Sequence, residues 1–381
     1  MPEYLNFTVV ILSMSPSSFS QQRHCSYADA VMNLKNGDSL PYRPLRDMVE
    51  RVSSRAYSPL DSLVKFATLL PCDIDDLGDL DVVQERLFLR RALMALVVGA
   101  QPVADDRLLP LLGQLLPMDS EQTVDISSTV ALPVAALIHA APLGIAFEAS
   151  QELFKSKLDV FDLLVEGTGL QRFHEADQAA AKYISLSSSA VERVENIVRE
   201  TYEAREFMPG HPWRVYNMWT LGLFPLITLI CDMVLCLGEH PELQLELRDD
   251  RSGVRRFIDE CLRLYPGIPT LWRSSGAPQS AADKPPLHRI DIKGAMRDAS
   301  LYDQPDEFML WRDSPRGLAF GVGAAACLGK QLSYSLAQSC LEHLLNTFDI
   351  SSSAEPTEHF SFDMLSFYRK CPVVLTPRHT R

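Results

Sequence analysis

From Asp81 onward, apolar positions recur at three- and four-residue intervals, the spacing of helices that bury one face. Val82–Val98 is the first such run. A polar break at Pro117–Thr123 separates it from Val124–Leu143, whose apolar content predicts a helix despite Pro133. Glu148–Ala204 reads as several amphipathic helices with acidic and Ser-rich punctuation. Trp213–Leu237 is a long, mostly apolar segment interrupted by Pro225. It is closed by Gly238-Glu239-His240-Pro241-Glu242, a helix stop and restart. Arg255–Tyr265 continues the helical pattern and stops at Pro266. The last helix, Lys330–Phe348, places Leu332, Leu336, Cys340 and Leu344 on one face. Strands are expected at Thr270–Arg273 and His288–Ile292, inside a stretch rich in proline and charge. Residues 1–80 carry the weakest pattern. The chain therefore predicts a mainly α fold with a minor β component, in a single large domain over 1–381.

Composition narrows the function classes. With 46% hydrophobic residues, 381 residues can bury a large core. The net charge of −13 argues against nucleic acid, whose phosphates call for basic patches. The N-terminal apolar run spans roughly nine residues, against the ~20 needed to cross a bilayer. It has no basic leader, so a strand in a cytoplasmic protein without a membrane anchor is expected. The eight cysteines form no CxxC pair, which fits a reducing compartment. Cys231, Cys236, Cys261 and Cys340 fall in apolar helical patterns and are expected in the core.

Cys327 is different. Phe320-Gly321-Val322-Gly323-Ala324-Ala325-Ala326-Cys327-Leu328-Gly329 sets it in a Gly/Ala loop that opens a helix. Small residues let the backbone pass close beneath a flat macrocycle. The helix that follows turns its amides and positive dipole end toward the sulfur, which stabilises a thiolate. A loop of this kind can hold a thiolate under a heme iron, although a lone cysteine among small residues is more often a small buried hydrophobe.

Three upstream motifs decide between these readings. Glu260-Cys261-Leu262-Arg263 places a carboxylate and a guanidinium three apart on one helix. Leu264-Tyr265-Pro266-Gly267-Ile268-Pro269 follows, with Arg273 ten residues after Arg263. Pro305-Asp306-Glu307-Phe308 then precedes the cysteine loop. This ordered set resembles the cytochrome P450 family over about residues 80–381, and residues 1–80 do not match. The resemblance implies heme b as cofactor and Cys327 as its metal ligand, within the F-x-x-G-x-x-x-C-x-G pattern formed by Phe320, Gly323, Cys327 and Gly329. It implies a structural ion pair between Glu260 and Arg263, and a propionate partner in Arg273. Arg86 and Arg90 fall where the family carries H-x-x-x-R, and two guanidiniums one turn apart suit two propionates. Gly317 stands where many bacterial members carry a propionate-binding His.

The long apolar helix departs from the family. Aligned from His240-Pro241-Glu242, the A-G-x-[DE]-T signature becomes Leu221-Gly222-Leu223-Phe224-Pro225. Gly222 is kept, while Phe224 replaces the acid and Pro225 the alcohol that together handle protons in oxygen activation. Thr228 is a substitute donor or, more often for such a residue, bonded to its own i−4 carbonyl. Phe224 and Leu221 are expected to line the distal pocket, with Phe66–Leu70 a further lining stretch. Oxidative tailoring of a small organic substrate in specialised metabolism follows, with a ferredoxin and ferredoxin reductase as electron source if dioxygen is used. Arg91 and Lys330 would then attract the acidic partner. Peroxide-dependent or redox-neutral heme chemistry is the alternative, and a non-catalytic P450-like partner protein the second.

Overall fold

The computed structural model describes residues 26–36, 38–39, 61–63, 65, 82–116, 119–165, 170–201, 211–274, 287–313, 317–323, 326–362 and 365–378. The expected N-terminal strand and Phe66–Leu70 lie outside them.

Helix α1 (Tyr27–Asn36) and strand β1 (Asp38–Ser39) precede the first long helix, α2 (Val82–Leu115). The apolar pattern predicts its start, but the helix runs on through Pro102 and Pro110. Ala92, Leu96, Ala100, Ala104, Leu108 and Leu112 are all buried at four-residue spacing. That continuous buried edge outweighs the backbone hydrogen bonds the two prolines remove.

The predicted helix over Val124–Leu143 is corrected at its start. Residues Gln122–Asp125 form β2, paired with the C-terminal strand so that Val124 lies opposite Val373. A π-helical turn (Ser127–Ala131) then leads into α3 (Leu132–Leu143). Tertiary pairing has overridden local apolar content here. Residues 148–204 resolve into α4 (Phe147–Val165) and α5 (Leu170–Thr201), which pack on each other.

The central element is α6 (His211–Glu239), followed by α7 (Pro241–Asp249) and α8 (Gly253–Leu264). Helices α2, α3, α5, α8 and α10 (Lys330–Thr347) all contact α6. By length and composition alone, α6 and the Leu87–Leu115 part of α2 could each cross a membrane. Most of the apolar window of α6 is instead covered by its neighbours within the fold.

The expected strands appear as β3 (Thr270–Ser274) and β4 (Leu287–Asp291), antiparallel, with Arg273 opposite His288. A short helix, α9 (Ile292–Ala295), follows β4. The sequence pattern does not predict the C-terminal strands: β5 (Phe348–Ser352), β6 (Glu358–Phe362), β7 (Leu365–Lys370) and β8 (Pro372–Pro377). The sheets are β1-β3-β4, β2-β8-β5 and the hairpin β6-β7. The last of these lies against α6 and supplies part of the site.

Candidate functional site

Cys327 lies between β4 and α10, in a loop whose backbone is closed by Gly321 N–H to Leu318 (2.8 Å), Cys327 N–H to Phe320 (2.9 Å) and Ala326 N–H to Gly323 (3.2 Å). Gly321 and Gly323 adopt φ of 64° and 77°, a left-handed conformation that favours glycine. Six cysteines are described; Cys327 is exposed and the other five are buried. Surrounding protein atoms push its thiol pKa upward. The N–H groups of Gly329 and Lys330 donate to the sulfur and, with the charge of Arg90, pull it back. Gly329 caps α10, so these donors are the open end of a helix directed at one sulfur. Phe320 packs half-buried beside Tyr334, with ring centroids 5.3 Å apart.

Arg90 reaches this loop from α2, donating from Nη1 to the Ala326 carbonyl at 3.0 Å. The side chains of Arg86 and Arg273 lie outside the described residues, although their backbones sit in α2 and β3. Gly317 has open space where a side chain would extend.

Beside the loop, Glu260 and Arg263 meet at 2.8 Å through two parallel N–H···O bonds, both residues about 96–97% buried (4% and 3% exposed). Arg312 joins them, its Nε donating to Glu260 at 2.9 Å. Arg263 also donates to the carbonyls of Met296, Pro305 and Glu307, while Met309 N–H donates to Glu260. One carboxylate and two guanidiniums thus fix the irregular segment leading to the cysteine loop. Burial raises the Glu260 pKa, but hydrogen bonds from Arg263 and Arg312 outweigh it and hold the carboxyl below its ordinary value. Arg312 escapes sequence reasoning because an arginine in an irregular segment has no period to mark its direction.

On α6, the residues from Val215 to Val234 are buried except Met218, Leu221, Gly222 and Pro225. Offsets of three, four and seven from Met218 place them on one face. None of these four has a side chain that donates a proton. Pro225 is accommodated without a break in the helix. Gly267 passes directly over it: a Cβ on Gly267 would lie 2.8 Å from the Pro225 Cα. This close approach is the reason for glycine there, and the Gly267 carbonyl accepts from Ser366 N–H at 3.0 Å.

Two expectations change. Phe224 does not lie on the open face. It is 1% exposed, with its ring centroid 5.5 Å from Phe154 and 5.4 Å from Phe161 on α4. The 100° helical step turns position 224 away from 221 and 225. Thr228 is also buried, donating to the Ser366 carbonyl at 2.5 Å or to the Phe224 carbonyl at 3.3 Å. Its hydroxyl serves backbone acceptors, including the i−4 carbonyl. Leu221 does sit half-buried on the open face.

The sequence profile of the cytochrome P450 family matches residues 232–370. A biotin biosynthesis cytochrome P450 from Bacillus subtilis (strain 168) is 23% identical over 324 residues, 75% of this chain and 78% of its own. A vitamin D3 dihydroxylase from Streptomyces griseolus is 26% identical over 285 residues, covering 69% and 66%. Among solved structures, CYP164A2 of Mycobacterium smegmatis with econazole bound superposes with a TM-score of 0.72 at 16% identity, covering 96% of this chain and 99% of that one. The chain is similar to the cytochrome P450 family, in sequence over residues 232–370 and in fold over nearly its whole length. Its fold is the mainly α P450 fold.

The Cys327 loop suits heme b, the cofactor that this similarity implies, on its own geometry. An exposed cysteine faced by two backbone donors, in a loop turned by two left-handed glycines, leaves room for a flat group beside the sulfur.

Proposed function

We propose that this cytochrome P450 carries out oxidative tailoring of a small apolar molecule in specialised metabolism, with proton handling that does not come from its central helix. The carrying observation is the open face of α6, where Met218, Leu221, Gly222 and Pro225 offer hydrocarbon, thioether and bare backbone. In this reading Cys327 would hold the heme iron through its sulfur, and Arg86, Arg90 and Arg273 would hold the propionates. Phe320, Gly323 and Gly329 shape the loop. Heme b, when bound, supplies the iron centre for the redox chemistry. The chain's own residues then divide the labour. Cys327 tunes the iron, with its sulfur held by the Gly329 and Lys330 amides. The α6 face excludes water and orients an apolar substrate. The single domain spans 1–381, in the cytoplasm, with a ferredoxin and ferredoxin reductase supplying electrons.

A second reading, peroxide-dependent or redox-neutral chemistry, is favoured by the same face. Phe224 is packed into the core and Thr228 is engaged by Ser366, so neither replaces the missing acid and alcohol. Both readings require the thiolate. The purified protein is expected to give a thiolate-type Soret band in the reduced, carbon monoxide-bound difference spectrum, and Cys327→Ala to lose it. A wild-type protein that takes up no heme would sink both. Turnover with peroxide but not with dioxygen and reductase selects the second. Pro225→Thr, which sets a hydroxyl on the open face, should raise dioxygen-driven turnover if a missing donor limits it, and no gain counts against that explanation.

A further inference from the structure

The seam between α4 and α6 contains a lysine with no counter-charge. On α4, Phe154, Lys157 and Phe161 share one face by their three- and four-residue spacing. They meet Thr220 and Phe224, one turn apart on α6. Lys157 is fully buried at the centre. Its Nζ donates to Thr220 Oγ1 at 2.5 Å and to Tyr183 Oη, on α5, at 3.4 Å. The same nitrogen lies 5.1 Å from the Tyr183 ring centroid and 5.8 Å from that of Phe224. Among the described residues, no carboxylate from α3, α5, α6 or β6 acts on it. A buried ammonium facing two hydroxyls and two aromatic rings is short of the compensation a charge needs.

We propose that this seam is a proton-sensitive latch: closed around a neutral Lys157 amine, it opens with uptake of one proton, so lower pH favours separation of α4 from α6. Burial, which lowers the lysine pKa well below its ordinary value, agrees with the geometry. The sign follows directly. The open state binds the extra proton, so its population rises as pH falls, by up to tenfold per pH unit across the range between the two pKa values. Because α4 covers the flank of α6 next to Met218–Pro225, opening would widen access to that face. This consequence rests on the functional reading above, whereas the latch does not.

Other titratable groups at the seam leave a clean window. On α3, His139 accepts a proton on opening only near and below its ordinary pKa, since burial holds it down at about 3 in the closed state. Tyr183 on α5 and Tyr216 on α6 are pushed up by burial, so they lose a proton on opening only around pH 10 and above. Between pH 7 and 9 the response belongs to Lys157.

Native-state hydrogen exchange of the heme-loaded protein, corrected for intrinsic rates, reads the latch directly. Protection of the α4 amides around Phe154–Phe161 should fall close to tenfold per unit as pH drops from 9 to 7. Lys157→Met should remove this slope and raise protection at pH 7. Thr220→Asp, which places a carboxylate beside the amine, should keep the lysine charged in the closed seam and also flatten the slope. A flat wild-type profile would show that the amine keeps its proton when buried, and would overturn the proposal. So would a Lys157→Met protein that retains the slope.

Discussion

Around Cys327 and Glu260 the protein spends its polar groups densely, whereas the open face of α6 carries none. At Glu260, three buried charged side chains are held by one another and by backbone carbonyls from Met296 to Glu307. On α6, Met218, Leu221, Gly222 and Pro225 leave an apolar surface in a stretch, Val215–Val234, that is otherwise buried. The first region is a rigid frame that sets where a sulfur sits. The second is a smooth wall that positions by shape. A loop and an ion cluster therefore mark the proposed cofactor side, while the donor-free open face of α6 is the ground for proposing unusual proton handling.

The comparison is tested most severely at Glu260. Changing it to Gln keeps the volume but leaves Arg263 and Arg312 with no carboxylate. Removing one partner from a buried ionic cluster costs about 3–5 kcal/mol. On a chain of this size that corresponds to a drop on the order of 5–10 °C in the thermal midpoint, measurable by circular dichroism. The pH dependence has a definite sign. Because the folded carboxyl is held below its ordinary pKa, its contribution is complete above the ordinary carboxylate range and is lost as pH falls through the lowered value. The deficit of the Gln protein should therefore shrink in acid. A Gln variant as stable as wild type at pH 7 would mean that the dense polar frame is dispensable.

Gly267→Ala tests the other side. The new Cβ would meet the Pro225 Cα at 2.8 Å and its carbonyl oxygen at 3.2 Å, and both are backbone atoms with little freedom to retreat. Overpacking of this kind costs about 1–3 kcal/mol. The expected result in urea unfolding is a lower midpoint with an unchanged slope. Full stability would show that the wall is looser than its packing implies.

Much of this architecture is legible in the sequence because buried helices leave a period. The core of α2, the length of α6 and the face of α10 can all be read from apolar spacing, as can the short strands β3 and β4. The C-terminal strands, and the strand that replaces the first turn of a predicted helix at Gln122–Asp125, depend on distant partners. Val124 is a strand residue because Val373 lies opposite it, and nothing within four residues says so. The cysteine loop is legible since its glycines and cysteine sit at fixed offsets. Arg312 and Ser366 are not, because they act through a fold that brings positions 52 and 138 residues apart into hydrogen-bond distance. Phe224 misleads for a simpler reason: its place in a motif says what is missing, but its direction depends on which neighbour claims that side of the helix.

Thr228 provides the smallest and most discriminating test, since its hydroxyl is the substitute donor that the sequence offers three residues after Pro225. Its donation to the Ser366 carbonyl ties α6 to β7, and its 1% exposure leaves no route to the open face. Thr228→Val replaces the hydroxyl with a methyl and leaves one buried carbonyl short of a donor, a loss of about 1 kcal/mol. Stability should fall by that amount while turnover per heme and its solvent isotope effect stay as in wild type. The opposite pattern, unchanged stability with slower turnover and an altered isotope effect, would mean that Thr228 carries protons. The contrast between a polar frame and a donor-free wall would then fail at its edge, and the activation chemistry would return to a form nearer the family's usual one.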